Sequence, residues 1–273
     1  MRDMDGRAFL YRGFAVGLGG TLKRPFNEIV DGRASVALPI VGGYTAARLD
    51  NYRFHELISI KEVRTYVTGS QSKDGAYNTV VSSTMEGLNI LDFITADAVI
   101  GRLSSRHAPD GAEPEIVTTG STFHNLRIGG HAVDVDLDHR MFGELSTYSA
   151  FKTRFERDDE FQAQVQRRFM WTMPPEKLPP GFAATIPLPN RASWPESRGM
   201  VPCTLVKGVQ CAAPEIEQYG HILCVPQVGY IVLGELFVSQ YARRLTMMRL
   251  VLGSPVEASL CGCDVETDGT TYP

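Results

Sequence analysis

The chain has 273 residues, of which 43% are hydrophobic and 21% charged. This composition is typical of a folded globular protein and excludes a disordered or fibrous chain. Its 27 Lys and Arg residues against 31 Asp and Glu residues leave a net charge of −4, so we expect no nucleic-acid partner. No apolar stretch reaches the ~20 residues that a membrane-spanning helix needs, and we expect no transmembrane segment.

The N-terminal region carries aspartates and arginines where a secretory signal has a continuous apolar run. We therefore expect no export signal. The run Gly17–Gly20 follows a predicted strand, but the Lys and Ser or Thr of a phosphate-binding loop are missing. It is interpreted as a glycine-rich turn.

Short runs rich in Val, Ile, Thr and Tyr predict β-strands throughout the first half, for example 58–68 and 78–84. Turn residues at 69–75 and 108–114 separate them. In Ile58–Thr68 neither of the two alternating faces is wholly apolar. This pattern indicates a strand that is exposed or paired with another chain.

The most distinctive pattern is the acidic strand, Gly129–His139. Asp134, Asp136 and Asp138 alternate with apolar residues, so a strand would place the three carboxylates on one face. Calcium is the cation that such oxygen ligands suit, and these aspartates are the candidate metal site. The alternative, which we favour, is a solvated polar face on an edge strand, where charges discourage aggregation.

A helical insert is predicted at 146–171, where phenylalanines recur at a spacing of four and charged residues fill the other faces. It is expected to form two helices, or one helix bent near Arg157–Asp159, with Ser146 or Thr147 as the N-cap. A proline-rich strap at 172–202 follows, which neither a helix nor a central strand tolerates.

The last third returns to strands, with near-continuous apolar runs at 221–225, 230–238, 245–252 and 256–263. Such runs are typical of strands buried on both faces or of a sandwich core. Asp268-Gly269 predicts a turn. All five cysteines lie in this third, and we interpret them as small buried hydrophobic residues. Arg243, Arg244 and Arg249 are expected to form surface or interface ion pairs.

Two strand segments resemble the paired motifs of bacterial choice-of-anchor P surface proteins. They are Ser83–Val99, which contains Ile94-Thr95-Ala96-Asp97-Ala98-Val99, and Gly120–Gly130, which begins Gly-Ser-Thr-Phe. The resemblance covers about residues 42–138. It implies a β-rich envelope or extracellular protein and carries no catalytic residues over to this chain.

The sequence therefore predicts a mainly β fold, either a sandwich or a short solenoid-like domain, with the helical insert near 146–171. We expect one interlocked domain with four parts: a β-rich part (1–145), the insert (146–171), the strap (172–202) and an apolar β core (203–273).

The leading functional hypothesis is a non-enzymatic structural protein that self-assembles, because no catalytic motif is recognised. We expect the chain to form a homo-oligomer or a larger assembly. We expect no cofactor, and calcium is the alternative. A glycan- or calcium-binding module is the second hypothesis. The third is a hydrolase that pairs Glu235 with one of the three aspartates.

Overall fold

A computed structural model of the protein describes residues 8–168, 173–174, 177, 200–253 and 256–272. These residues form two antiparallel β-sheets packed face to face, with a small helical insert between strands. The predicted mainly β fold is confirmed, and the arrangement is sandwich-like. Most of the proline-rich strap at 172–202 lies outside the described residues.

The described residues form eighteen strands and three helices. In chain order they are β1 (Ala8–Arg24), β2 (Glu28–Arg33), β3 (Val36–Ala37), β4 (Gly43–Phe54), β5 (Ile58–Gln71), β6 (Tyr77–Ile90), β7 (Ile94–His107), β8 (Glu115–Val117), β9 (Thr122–His124), β10 (Arg127–Ile128), β11 (His131–Leu137), α1 (His139–Glu144), α2 (Tyr148–Arg157), α3 (Asp159–Arg168), β12 (Met200–Thr204), β13 (Val206–Cys211), β14 (Glu217–Tyr219), β15 (Ile222–Val225), β16 (Gly229–Ser239), β17 (Arg243–Leu252) and β18 (Glu257–Tyr272).

Sheet A runs in the order β14-β15-β16-β17-β18-β1-β2, with β12 on β16 and β3 on β1. Sheet B runs in the order β13-β11-β10-β7-β6-β5-β4, with β8 and β9 on β7. The first strand of the chain therefore lies beside the last. One cluster of buried hydrophobic residues extends from Phe9 to Val265. The division into one interlocked domain stays a prediction.

In sheet B, the residues that face the core change from even-numbered to odd-numbered positions within a strand. In β5, Ile58 and Ile60 are buried, and so are Val63 and Val67, although these two pairs have opposite parity. The change falls at Lys61, where the pairing of β5 with both neighbouring strands skips one residue. The prediction of a strand that is exposed or paired with another chain was therefore wrong, because β5 lies between β4 and β6 and one apolar face continues across the kink.

The same interruption crosses the neighbouring strands in a row. On β4 it falls at Asn51 and on β6 at Gly87, with left-handed φ angles of 51° and 63°. Sheet A has a matching row, in which Gly234 and Cys263 have φ angles of 57° and 51°. Each sheet therefore bends along a line, and neighbouring strands remain paired on both sides of it.

The sheets pack against each other through glycines, which we call the glycine seam: Gly17 and Gly262 of sheet A and Gly101 of sheet B. A Cβ atom on Gly262 would lie 2.6 Å from Met85 Cε, and one on Gly101 would lie 2.9 Å from the Cys263 carbonyl oxygen. A Cβ atom on Gly17 would overlap the Val63 side chain. Each glycine lets a strand approach the opposite sheet.

Two predicted turns were wrong for related reasons. Gly17–Gly20 lies inside β1, where residue 17 is needed for contact with sheet B, not for a change of direction. Asp268 and Gly269 lie inside β18, paired with Arg12 and Tyr11. A Cβ atom at residue 269 would clash with the Phe9 ring, so this glycine also serves close packing.

The helical insert begins one element earlier than predicted, because α1 precedes α2 and α3. Thr147 caps α2 through the Ala150 amide, and the chain bends at Asp158 between α2 and α3, as predicted. Arg243 anchors the insert from sheet A: its guanidinium donates to the carbonyl oxygens of Leu145 and Ser146 at 2.7 and 2.8 Å.

Arg243 is only 1% exposed, so its assignment to a surface or interface ion pair was wrong. It satisfies backbone carbonyls that would otherwise be buried without donors. Among the described residues, no helix has both the length and the apolar character needed to cross a membrane.

Substitution of Gly17 by Ala is expected to destabilise the fold. The new methyl group would overlap Val63 and lie 2.9 Å from the Arg33 carbonyl oxygen, and overpacking of this kind costs about 1–3 kcal/mol. Urea unfolding followed by circular dichroism measures the change. Gly208→Ala is the control, since its Cβ would have no neighbour within 4 Å. Equal midpoints for Gly17→Ala and wild type would contradict the close packing at the seam.

Candidate functional site

One side of the sandwich is bounded by the last strands of both sheets. We call it the open side and define it as residues 26–54, which contain β2, β3 and β4 with their connections. β2 ends sheet A and β4 ends sheet B. Within the described part of the chain, β4 pairs only with β5 and β2 only with β1. Both strands therefore present backbone hydrogen-bonding groups along one edge.

Exposed apolar side chains are concentrated on this side. Of the six large hydrophobic side chains that are exposed in the described residues, five lie between positions 26 and 44: Phe26, Ile29, Ile40, Val41 and Tyr44. Val41 is 75% exposed and Tyr44 68%. They fall into two groups at opposite ends of β4: Phe26, stacked on His55 at 3.8 Å, lies with Ile29 near its last residue, and the other three lie at its start. Exposed apolar groups that lie together on a surface are typical of interaction sites.

Charged side chains occupy the outward face beside β4. Arg48 bonds Asp50 at 2.9 Å and Glu62 at 3.3 Å. Arg64 bonds Glu62 at 2.7 Å and also contacts Glu86. This ladder joins β4, β5 and β6. Exposed ion pairs of this type contribute at most about 1 kcal/mol each, so their main effect is to hold long side chains in place across the face.

The acidic strand is β11, and the structure separates its three aspartates. Asp134 and Asp136 are exposed, and Asp136 pairs with Lys207 at 3.4 Å. The strand ends at Leu137, so Asp138 leaves the row. The three carboxylates thus do not share one face, and two of them remain for the predicted calcium site. No cluster of three or more candidate metal ligands occurs in the described ranges.

Asp138 instead joins the helical insert to the sheet. Its Oδ1 accepts a hydrogen bond from the Met141 amide at 3.0 Å, which caps α1, and its Oδ2 accepts one from Arg168 at 2.7 Å. Burial alone would raise the pKa of this carboxyl. The hydrogen bonds from Arg168 and Met141 outweigh that effect, and the pKa is lowered from its usual 3.8.

A cleft of about 470 Å³ lies beside the acidic strand. One part of its lining comes from Phe123 and Asn125, next to β9. The other comes from β11 and β13, including Asp134 and Gln210, which are opposite each other in the ladder. An aromatic ring surrounded by amide and carboxylate groups provides both stacking and hydrogen-bonding contacts.

A second cleft, of about 700 Å³, adjoins the turn between β15 and β16 and is lined by Cys224, Tyr230 and Lys177. Burial raises the pKa of the Cys224 thiol to about 11, so it is protonated at neutral pH and is a weak nucleophile. Lys177 contacts Glu217 and donates to the Tyr219 hydroxyl at 3.1 Å. The polar groups at this cleft are therefore engaged with one another.

Glu235, the proposed acid of the hydrolase hypothesis, lies on β16 and is 3% exposed. Burial raises its pKa, and it forms an ion pair with Arg249. Within the described part of the chain, no hydrogen bond or ion pair joins Glu235 to Asp134, Asp136 or Asp138. The structure thus assigns the singled-out carboxylates to different local networks.

The sequence interpretation missed the open side. The signal available was the adjacent pair Ile40-Val41, two large apolar residues directly before the two glycines 42 and 43. Such a pair is unusual in a connection that is exposed to solvent. The role of Asp138 was also missed, although an aspartate before a helix is a common N-cap.

The family model described as "Domain of unknown function (DUF8256)" matches residues 9–239. The chain belongs to this family. The DUF8256 match extends from β1 into β16 and so includes the open side, the acidic strand and the helical insert. No curated protein and no solved structure matches the chain.

Asp138→Asn is expected to destabilise the protein by about 1–3 kcal/mol, because the side chain of Arg168, 11% exposed, loses its charged partner while the cap acceptor is kept. Urea unfolding at pH 7 measures this. Asp136→Asn is the matched control, with an expected change within about 0.5 kcal/mol, since its ion pair is exposed.

The stability contributed by Asp138 has a defined pH dependence. Its folded-state pKa lies below the unfolded value of 3.8, so the contribution is present above about pH 4 and is lost as the pH falls through the folded-state pKa. The difference between wild type and Asp138→Asn should shrink in that range. A difference that stays constant down to pH 2 would contradict the ion pair.

Proposed function

We propose that the chain is a non-enzymatic structural protein that self-associates through its open side and forms part of a larger bacterial assembly. The resemblance of residues 42–138 to choice-of-anchor P surface proteins supports a place at the cell envelope or outside the cell. The observation that carries the proposal is that five exposed large hydrophobic side chains lie beside the strands that end both sheets, whose outer edges have no partner among the described residues.

Exposure of this side to water has a free-energy cost. A free strand edge is a template for pairing with another chain, and natural proteins shorten, twist or cover such edges. Here β4 has 12 residues and its neighbouring connection exposes Ile40 and Val41. Burial of apolar surface stabilises association by roughly 25 cal/mol per Å². A partner that covers β4 and the connection before it would satisfy the strand edge and bury Ile40 and Val41.

The chemistry of the singled-out acids also supports a structural role. Asp138 caps α1 and pairs with Arg168, while Glu235 pairs with Arg249. A general acid or base needs a group that is free to exchange protons with a substrate. These carboxylates are instead committed to holding the insert and sheet A in place.

The double substitution Tyr44→Glu with Val41→Glu is expected to abolish self-association without unfolding the protein, because the two side chains lie at the start of β4 and are exposed at 68% and 75%. Sedimentation analysis over a range of protein concentrations measures the mass. Tyr241→Lys is the control, since Tyr241 is the sixth exposed hydrophobic residue and lies off the open side. A wild-type protein that stays monomeric at the highest concentration would overturn the proposal.

A second candidate function is ligand binding, favoured by the 470 Å³ cleft beside the acidic strand. Phe123 provides a ring for stacking against a sugar, and Asn125, Asp134 and Gln210 provide hydrogen-bonding groups. The volume lies in the range of small-ligand sites. A saccharide is the ligand class that fits this combination best.

Calorimetric titration tests this second function with calcium and, separately, with soluble oligosaccharides of glucose and of N-acetylglucosamine. A saccharide site predicts heat that Phe123→Ala reduces at least tenfold in affinity and Asp50→Asn, on the other edge strand, leaves unchanged. A calcium site predicts heat that Asp136→Asn removes. If the wild type gives no heat with any of these probes, the cleft is not such a site.

A further inference from the structure

We infer that the self-association partner is a second copy whose β4 pairs antiparallel with β4 of the first, about a twofold axis at Ala47. This inference rests on the proposed function and specifies the geometry of the interface. It extends sheet B across two molecules. The length of the edge, the position of its kink and the charges on it determine this geometry.

The first step is the choice of strand. The ends of the two sheets are β2 and β14 in sheet A and β4 and β13 in sheet B. β2 and β13 have six residues each and β14 has three, whereas β4 has 12. The ladder between β1 and β2 is also irregular. Long, regular edges offer the most hydrogen bonds to an added strand, which favours β4.

The second step is the length of β4 that can pair regularly. At its start, Gly42 and Gly43 have φ angles of 83° and 108°, outside the range of an extended strand. At the other end, Asn51 has a φ of 51° and lies in the kink row. The stretch between them is Tyr44–Asp50, with seven consecutive residues in register with β5.

The third step is the register. A twofold axis perpendicular to the sheet keeps outward-facing residues opposite outward-facing ones, so the axis must pass through a residue position. Complete overlap of Tyr44–Asp50 with itself puts Ala47 opposite Ala47 of the second copy. A shift of the axis to Ala46 or to Arg48 shortens the overlap to five residues, and the latter also sets Arg48 against Arg48.

The fourth step is the fit of side chains in this register. On the outward face, Tyr44 lies opposite Asp50 of the second copy, and Ala46 opposite Arg48. On the inward face, Thr45 lies opposite Leu49. No like charges face each other directly, and small alanines occupy the centre. Tyr44, 68% exposed in the single chain, gains a neighbour across the interface.

The symmetry has a consequence for assembly. Because the β4 edges of both copies pair with each other, the pairing closes as a dimer and does not propagate as a filament. The dimer leaves β2, with Ile29, at the edge of sheet A in each copy. Larger assemblies would then be built from dimers, with contacts elsewhere on the open side.

Single cysteine substitutions at Ala46, Ala47 and Arg48 test the register, with mild oxidation and non-reducing electrophoresis as the readout. Disulfides require Cβ atoms about 3.5–4.5 Å apart, which only directly opposed residues approach. Ala47→Cys should cross-link efficiently, while Ala46→Cys and Arg48→Cys should cross-link far less. Wild type is the control, because the chain has five cysteines of its own. Predominant cross-linking at residue 46 or 48 would overturn the assigned axis.

Charge exchange provides a second test that does not depend on cysteine. Ala46→Lys places a lysine opposite Arg48 of the second copy and should weaken the dimer at least tenfold in Kd by sedimentation. Adding Arg48→Glu should restore it, because the opposed charges then attract. Equal Kd values for wild type and Ala46→Lys would contradict the pairing.

Different results would overturn the proposed self-association and the proposed dimer geometry. A wild-type chain that is monomeric at all concentrations overturns both the proposed function and this geometry. A wild type that self-associates but neither cross-links at Ala47→Cys nor responds to Ala46→Lys overturns the geometry alone, and the association then uses another part of the open side.

Discussion

The close packing of the two sheets at the glycine seam is the constraint on which the rest of the structure depends. Gly17, Gly101 and Gly262 let strands approach without Cβ atoms, so Val63, Met85 and Cys263 fill the space between the sheets. The thiol of Cys263 donates to the Val99 carbonyl across this interface at 3.1 Å. The strands are held in this position by pairing of β1 with β18, so the two ends of the chain complete one core.

Much of the fold follows from local patterns in the sequence. The apolar runs of the last third became β15 to β18, and the phenylalanine spacing became α2 and α3. Two of the wrong predictions have identifiable physical causes. Period-two patterns assume an unbroken strand, whereas Lys61 lies in a row of kinks that reverses which residues face inward. A glycine that permits packing, such as Gly17, likewise looks like one that permits a turn.

The functional features were harder to predict, because they depend on strand order. Whether Ile40 and Val41 are buried cannot be inferred until β4 is known to end its sheet. The acidic strand shows the converse case. The predicted strand is confirmed up to Leu137, but Asp138 lies outside it and bonds Arg168, about thirty positions further along the chain. Contacts at that separation leave no local periodic signal. The exposure of Ile40 and Val41 and the contacts of Asp138 could therefore be known only from the tertiary structure.

The open side follows from the same packing constraint. Sheet A covers sheet B along β5, β6 and β7, where β1 and β18 lie over them, whereas β4 is contacted by the two-residue strand β3. Most residues of β4 consequently remain at least partly exposed, although it has twice the length of β2. Proline, short length and inward-pointing charge are the usual means of protecting such an edge. β4 contains no proline and is not short, and its protective features are the charged Arg48 and Asp50 on the outward face and the break in pairing at Asn51. Its stretch Tyr44–Asp50 is nevertheless the longest regularly paired part of an edge strand among the described residues, and it follows directly on the exposed pair Ile40 and Val41. The proposed interface depends on these two features.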